Sequence, residues 1–131
     1  MNIIQFPSSR VIEINQYILA TGKGLKGGAD QAKLEGALAR IDNAIAYNAL
    51  DDVFEIASKY AISIAISHAF SDANKRTGLA VCLEYLSLND YELVDDNDKL
   101  ADAIVGAVIN DLSEIELADT LYGIWKNQNQ Y

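Results

Sequence analysis

The sequence predicts an all-α fold, a bundle of six helices with one of them buried at the centre. Three observations predict it. The single proline lies at position 7 and the glycines gather between Gly22 and Gly28, so most of the chain lacks strong helix breakers. Apolar residues recur at helical spacing along segment after segment. One segment, the third, is apolar on nearly every side, which is the pattern of a helix enclosed by others. With 131 residues, 50% of them apolar and 22% charged, the chain has the material for one hydrophobic core, and residues 1–131 are read as one domain.

The first helix follows Ser8 or Ser9 as cap, places Val11, Ile14 and Ile18 on one face, and stops at Gly22. Thr21 to Ala29 is read as a loop; its glycines and lysines lack the spacing, and the preceding strand, of a phosphate-binding P-loop. Asp30 caps a second helix with the stripe Leu34, Ala37, Leu38, Ile41 and Ile45, leaving Lys33 and Arg40 outside. After the turn Asn48 to Asp52 comes the central helix, with Val53, Phe54, Ile56, Ala57, Tyr60, Ala61, Ile64, Ala65 and Ile66. The run Ile62 to Ile66 also reads as a strand, but its length and alanine content favour helix. A polar break, Ser71 to Asn74, precedes a fourth helix lined by Leu79, Cys82, Leu83 and Leu86 and ended by Asn89. Tyr91 to Val94 is a short extended connector. Lys99 to Asn110 forms the fifth helix, with Leu100, Ile104, Ala107 and Val108. Ser113 and Glu116 make the capping box of the sixth, whose buried face is Ile115, Ala118, Leu121, Tyr122 and Trp125; the tail from Lys126 to Tyr131 reads as frayed.

Composition narrows the function. A net charge of −9 argues against direct nucleic-acid binding, which needs clustered lysine and arginine. No apolar run reaches bilayer-spanning length and Met1 to Arg10 has no export pattern, so neither membrane insertion nor secretion is expected. The lone cysteine, Cys82, excludes an intrachain disulfide and sits among apolar neighbours, where a buried thiol without chemical role is expected. A cytoplasmic location fits these features.

The only histidine, His68, stands at the end of the central helix, directly before Phe70-Ser71-Asp72-Ala73-Asn74-Lys75-Arg76-Thr77. A lone histidine beside apolar residues is usually structural, but this one has neighbours that change the reading. Within a few residues the chain supplies a base (His68), a carboxylate suited to magnesium (Asp72), an amide (Asn74) and two cations (Lys75, Arg76). The loop leads into a helix start, where unpaired N–H groups and the helix dipole favour anions. Arg76 can grip a phosphate bidentately, Asp72 can bring a divalent cation, and His68 can take the proton of an attacking hydroxyl. Phe70 is expected to pack inward and pin the loop. By themselves these residues specify phosphate handling and no particular reaction.

The run His68-Ala69-Phe70-Ser71-Asp72-Ala73-Asn74-Lys75-Arg76 resembles the signature of the Fic/Doc superfamily. Ala73 and Lys75 depart from the common Fic form and resemble the Doc branch, the death-on-curing toxins of prophage and plasmid addiction modules. Leu34 to Arg40, Asp52-Val53-Phe54-Glu55, Asn89-Asp90-Tyr91 and Ala118-Asp119-Thr120-Leu121 are also similar to that branch. The resemblance implies a six-helix Fic/Doc (Fido) fold, ATP with Mg2+, and modification of a hydroxyl on a protein target. His68 would be the base, with Asp72 and Arg76 beside it as catalytic residues. Asp72 would hold the metal, and Asn74, Lys75, Arg76 and Thr77 would bind the nucleotide. Most Fic relatives transfer AMP and have glycine at the position of Lys75. In the Doc branch lysine goes with reversed ATP, so that the γ-phosphate is transferred by a protein kinase to a threonine of a translation factor, elongation factor Tu. The resemblance also implies a small antitoxin as partner. Three readings follow: a toxin kinase, an AMP transferase of the same fold, and a helical binding module with an inactive loop.

Two segments stay open. Gln31, Glu35 and Gly36 come near the inhibitory motif of Fic proteins, but glutamine stands where a hydroxyl residue belongs, and an ordinary packed helix is the preferred reading. Tyr47 to Leu50 serves equally as an edge that aligns a target chain or as a plain connection.

Overall fold

Capping chemistry sets where the helices begin. In the computed structural model, residues 6–22, 28–94, 99–109 and 113–129 are described, and six helices form among them. Helix α1 spans Ser8–Thr21, α2 Gln31–Tyr47, α3 Val53–Ile66, α4 Asn74–Leu88, α5 Lys99–Ile109 and α6 Glu114–Gln128. Asp30 accepts the Lys33 N–H at the start of α2, and Asp52 accepts the Glu55 N–H at the start of α3. Ser113 and Glu116 form the expected capping box on α6. At α1 the expectation of a serine cap fails. Pro7 occupies the cap position and its carbonyl accepts from Arg10 and Val11, so both serines fall inside the helix.

Helix α3 is central: it packs against α2, α4, α5 and α6, while α1 lies across α2 and α4. The α3–α4 contact is the most extensive, and Gly78 of α4 faces the backbone of Ala61 and Ala65 across it. All six helices feed one hydrophobic cluster. At its heart the fully buried Tyr60 stacks near Tyr85, with ring centroids 5.3 Å apart, and its hydroxyl accepts the Phe6 N–H. Burial pushes the Tyr60 hydroxyl pKa up to about 12, so it stays protonated at any working pH.

Side-chain phase departs from expectation at three places. Ile66, at the last position of α3, is exposed, and so are Ile115 and Tyr122 of α6. In α6 the buried positions are Leu117, Ala118 and Leu121, because the helix turns the face that begins two residues after Ile115 toward α3. Tyr122 instead covers the edge of Phe54, at 5.4 Å, in a cluster with Tyr91 and Trp125. Nor does α6 fray at Lys126. It continues through Gln128, whose side chain donates to the Val94 carbonyl at 2.7 Å and accepts the Val94 N–H at 2.9 Å, stapling the Tyr91 to Val94 connector. The lysine and glycine stretch 23–27, Asn110 and the last residues of the tail, 130–131, lie outside the described residues. Among the described residues no helix is long and apolar enough to cross a membrane.

Candidate active site

The loop between α3 and α4 is held by hydrogen bonds at nearly every residue. Ser67 closes α3: its hydroxyl donates to the Ile64 carbonyl at 2.8 Å and accepts the Ala69 N–H at 3.2 Å. His68, bracketed by that pair, takes a left-handed backbone with φ of 54° and is exposed. Such a conformation is uncommon for a non-glycine residue and requires support from its surroundings. Ala69 accepts the Asp30 N–H at 2.6 Å, and Ala29 pairs with Phe70 in a single antiparallel bridge, tying the loop to the start of α2. Phe70 is buried in the core, as expected.

The far side of the loop is braced by Asn74. Its Oδ1 accepts the Phe70 N–H at 3.2 Å and its Nδ2 donates to the Phe70 carbonyl at 3.0 Å. Between them Ala73 also adopts a left-handed backbone, φ 64° and ψ 26°, and its N–H donates to Oδ1 of Asp72 at 2.6 Å. Helix α4 then starts at Asn74, its first internal bond running from the Thr77 N–H to the Ala73 carbonyl. The N–H groups of its opening turn therefore have no carbonyl partner within the helix.

Charge placement at this helix start runs against helix stability. The first turn of α4 contains no acidic residue, yet Lys75 and Arg76 stand there exposed. A cation near a helix N-terminus costs about 0.3–1 kcal/mol, where an anion would stabilise by as much. A chain with 19 acidic residues and 10 basic ones has thus set two cations beside the positive end of a helix dipole. That arrangement suits an anion supplied from outside.

His68, Ser71, Asp72, Ala73, Asn74, Lys75 and Arg76 line one cavity of about 430 Å³, walled by Ala65 of α3 and Val105 of α5. His68 and Arg76 thus line a single pocket, of a size in the range of small-ligand sites. The donor set fits a magnesium nucleotide: one carboxylate, Asp72, with cations and helix N–H groups for phosphates, since Mg2+ is typically held by one or two carboxylates plus phosphate oxygens. Asp72 would hold that ion. Among the described residues no group of three or more His, Cys, Asp or Glu side chains forms a separate metal centre.

One of the expected nucleotide ligands needs correction. Thr77 does not line the cavity: its side chain is fully buried and its hydroxyl accepts from Nδ2 of Asn15 at 3.1 Å. The reason is helical phase, which turns the fourth residue of α4 toward α1. Asn74 lines the cavity, with both ends of its amide engaged by Phe70. Ala65, Val105 and Asn15 were not foreseen; the first two are ordinary apolar residues in helical stripes, and Asn15 showed only as a polar residue breaking one.

The remaining candidates lie elsewhere. Cys82 is fully buried, and burial pushes its thiol pKa up to about 12, leaving it inert. Glu35 lines a separate groove of about 400 Å³ with Phe6, Leu38 and Asp42, and accepts from Gln31 at 3.2 Å, while Leu34 and Leu38 pack into the core. The Gln31 to Gly36 segment is thus an ordinary amphipathic turn of α2 in this structure. Tyr47 is exposed at the end of α2.

Comparison with known proteins gives two findings. A model of the Fic/DOC family matches residues 5–86. The chain is also similar to "Protein kinase doc" of Escherichia phage P1, 39% identical over 98 residues that cover 75% of this chain and 77% of that protein.

Proposed function

Because the chain belongs to the Fic/DOC family, we propose that it is a protein kinase acting as the toxin of a toxin–antitoxin pair. It moves the γ-phosphate of ATP to a hydroxyl, a threonine of a translation factor such as elongation factor Tu, and a small antitoxin restrains it in the cytoplasm. The single observation that carries the chemistry is the convergence of His68, Asp72, Lys75 and Arg76 on one cavity at the N-terminus of α4. Support for phosphoryl rather than AMP transfer comes from the phage relative, itself named a protein kinase, and from Lys75, a bulky cation in the cavity wall.

In this reading the exposed His68 accepts the proton of the target hydroxyl as its oxygen bonds to the γ-phosphorus, and the bond from that phosphorus to the β–γ bridging oxygen breaks to release ADP. His68 then returns the proton to water. Arg76, Lys75 and the first N–H groups of α4 bind phosphate oxygens and carry the charge that builds on them. Asp72 would hold Mg2+, which when bound neutralises phosphate charge.

Labelled ATP tests the proposal. Incubated with a translation extract, the protein should place label from the γ-phosphate, and none from the α-phosphate, on one target band. Label from the α-phosphate instead would replace the kinase reading with AMP transfer. No label from either, with growth inhibition unchanged by His68→Ala, would leave a binding module.

A further inference from the structure

The geometry points to Asn15 as a positioning residue for the phosphate-handling loop, acting from α1 through Asp72; this rests on the phosphotransferase reading above. The Asn15 side chain, 2% exposed, donates from Nδ2 to the Asp72 carbonyl oxygen at 3.1 Å and to the Thr77 hydroxyl oxygen at 3.1 Å. It touches two residues that bracket the loop's exit into α4, and both are far away in sequence.

Packing alone gives no reason for this amide. Asn15 interrupts the buried face of α1 formed by Val11, Ile14 and Leu19, where an apolar residue would pack without a desolvation penalty. Replacing both partners of a buried polar pair with apolar residues of like shape is often close to neutral. Among the described residues, tyrosine hydroxyls apart, only Asn15, Ser58 and Thr77 have buried polar side chains with oxygen or nitrogen groups, and two of these three make this one contact. What the contact does is orient. Asp72 lines the cavity and accepts the Ala73 N–H at Oδ1, while its carbonyl is held toward α1, and the left-handed Ala73 follows directly. A rotation of the peptide between Asp72 and Ala73 would release the carbonyl from Asn15. The same rotation would shift the Ala73 N–H that holds the Asp72 carboxylate at 2.6 Å. Asn15 blocks that rotation.

The test compares the parent protein with the apolar pair Asn15→Leu/Thr77→Val, which removes both side-chain partners and takes this donor from the Asp72 carbonyl, and with Asn15→Asp, which replaces the amide donor with a carboxylate of the same shape. Calorimetry reads ATP binding with Mg2+ and with a chelator in its place, and thermal melting reads the fold. The proposal expects a folded double variant whose binding of ATP with Mg2+ is weaker by roughly 10- to 100-fold, with a smaller change when Mg2+ is absent. If the double variant fails to fold, the same selective loss in Asn15→Asp supports the proposal. Parent-like binding with Mg2+ in whichever variant is folded, or an equal loss with and without Mg2+, overturns it. No ATP uptake by the parent protein overturns the phosphotransferase reading itself and this inference with it.

Discussion

The Cα of Gly78 lies so close to α3 that a side chain there would put its Cβ 2.5 Å from the carbonyl oxygen of Ala61. No methyl group fits at that distance, and the obstacle is backbone, which cannot swing aside. Helix α4, which carries Lys75 and Arg76, therefore takes its spacing from the helix that precedes His68. Gly78→Ala should destabilise the protein by about 1–3 kcal/mol, as overpacked cores do, measured as a lower denaturant midpoint. The folded fraction should also lose activity, because the two sides of the cavity move apart. A midpoint equal to the parent's would show that the helices part freely.

His68 combines chemistry with an unusual backbone. Asn tolerates the left-handed region better than most residues, so His68→Asn keeps the loop and removes the base. Transfer should fall by about 10²–10⁴-fold, the usual share of general-base catalysis, with an unchanged melting temperature. Retained transfer would assign proton removal to another group.

Ala73, at φ 64°, holds a conformation that costs an L-residue about 1–2 kcal/mol. Ala73→Gly removes that cost but loosens the unfolded chain by about 0.4–1 kcal/mol. A small net stabilisation is expected by chemical denaturation, with activity kept. Ala73→Val, branched at Cβ, should be clearly destabilised. Equal stability of the two variants would contradict the backbone assignment.

The paired charges of Arg10 and Glu84 link α1 to α4, with contacts at 2.5 and 2.8 Å. The hydrogen bond from Arg10 holds the Glu84 carboxyl below its ordinary value of 4.5, against an opposing push from burial. A depressed folded pKa means the contribution is complete above that ordinary value and disappears as pH falls through the folded one. Arg10→Met should therefore melt slightly lower than the parent near pH 7, and the gap should close as the pH falls below the ordinary carboxylate range. A gap that persists in acid would assign the effect to lost packing of the arginine stem.

Local signals were the legible ones. Asp30, Asp52 and the Ser113–Glu116 box mark helix starts because a cap and its N–H lie three residues apart. The run from His68 to Arg76 is contiguous for the same reason that its cavity forms: one turn brings a helix end against a helix start. What stayed hidden depends on distant partners. Asn15 meets residues 57 and 62 positions away, and Gly78 matters only once Ala61 lies opposite. Spacing also could not choose between Ile115 and Leu117, since either begins an acceptable apolar stripe and only the position of α3 selects one.

The two-point bond from Asn74 to Phe70, with the Ser67, Asp30 and Asn15 contacts, ties the loop to the helices around it through the chain's own groups. The entropy of ordering it is lost during folding, not at each encounter with nucleotide. Such a preorganised cradle should change little between its empty and filled states, and the amide protons of Ala69, Phe70 and Ala73, which are hydrogen-bonded within the loop, should exchange slowly in both.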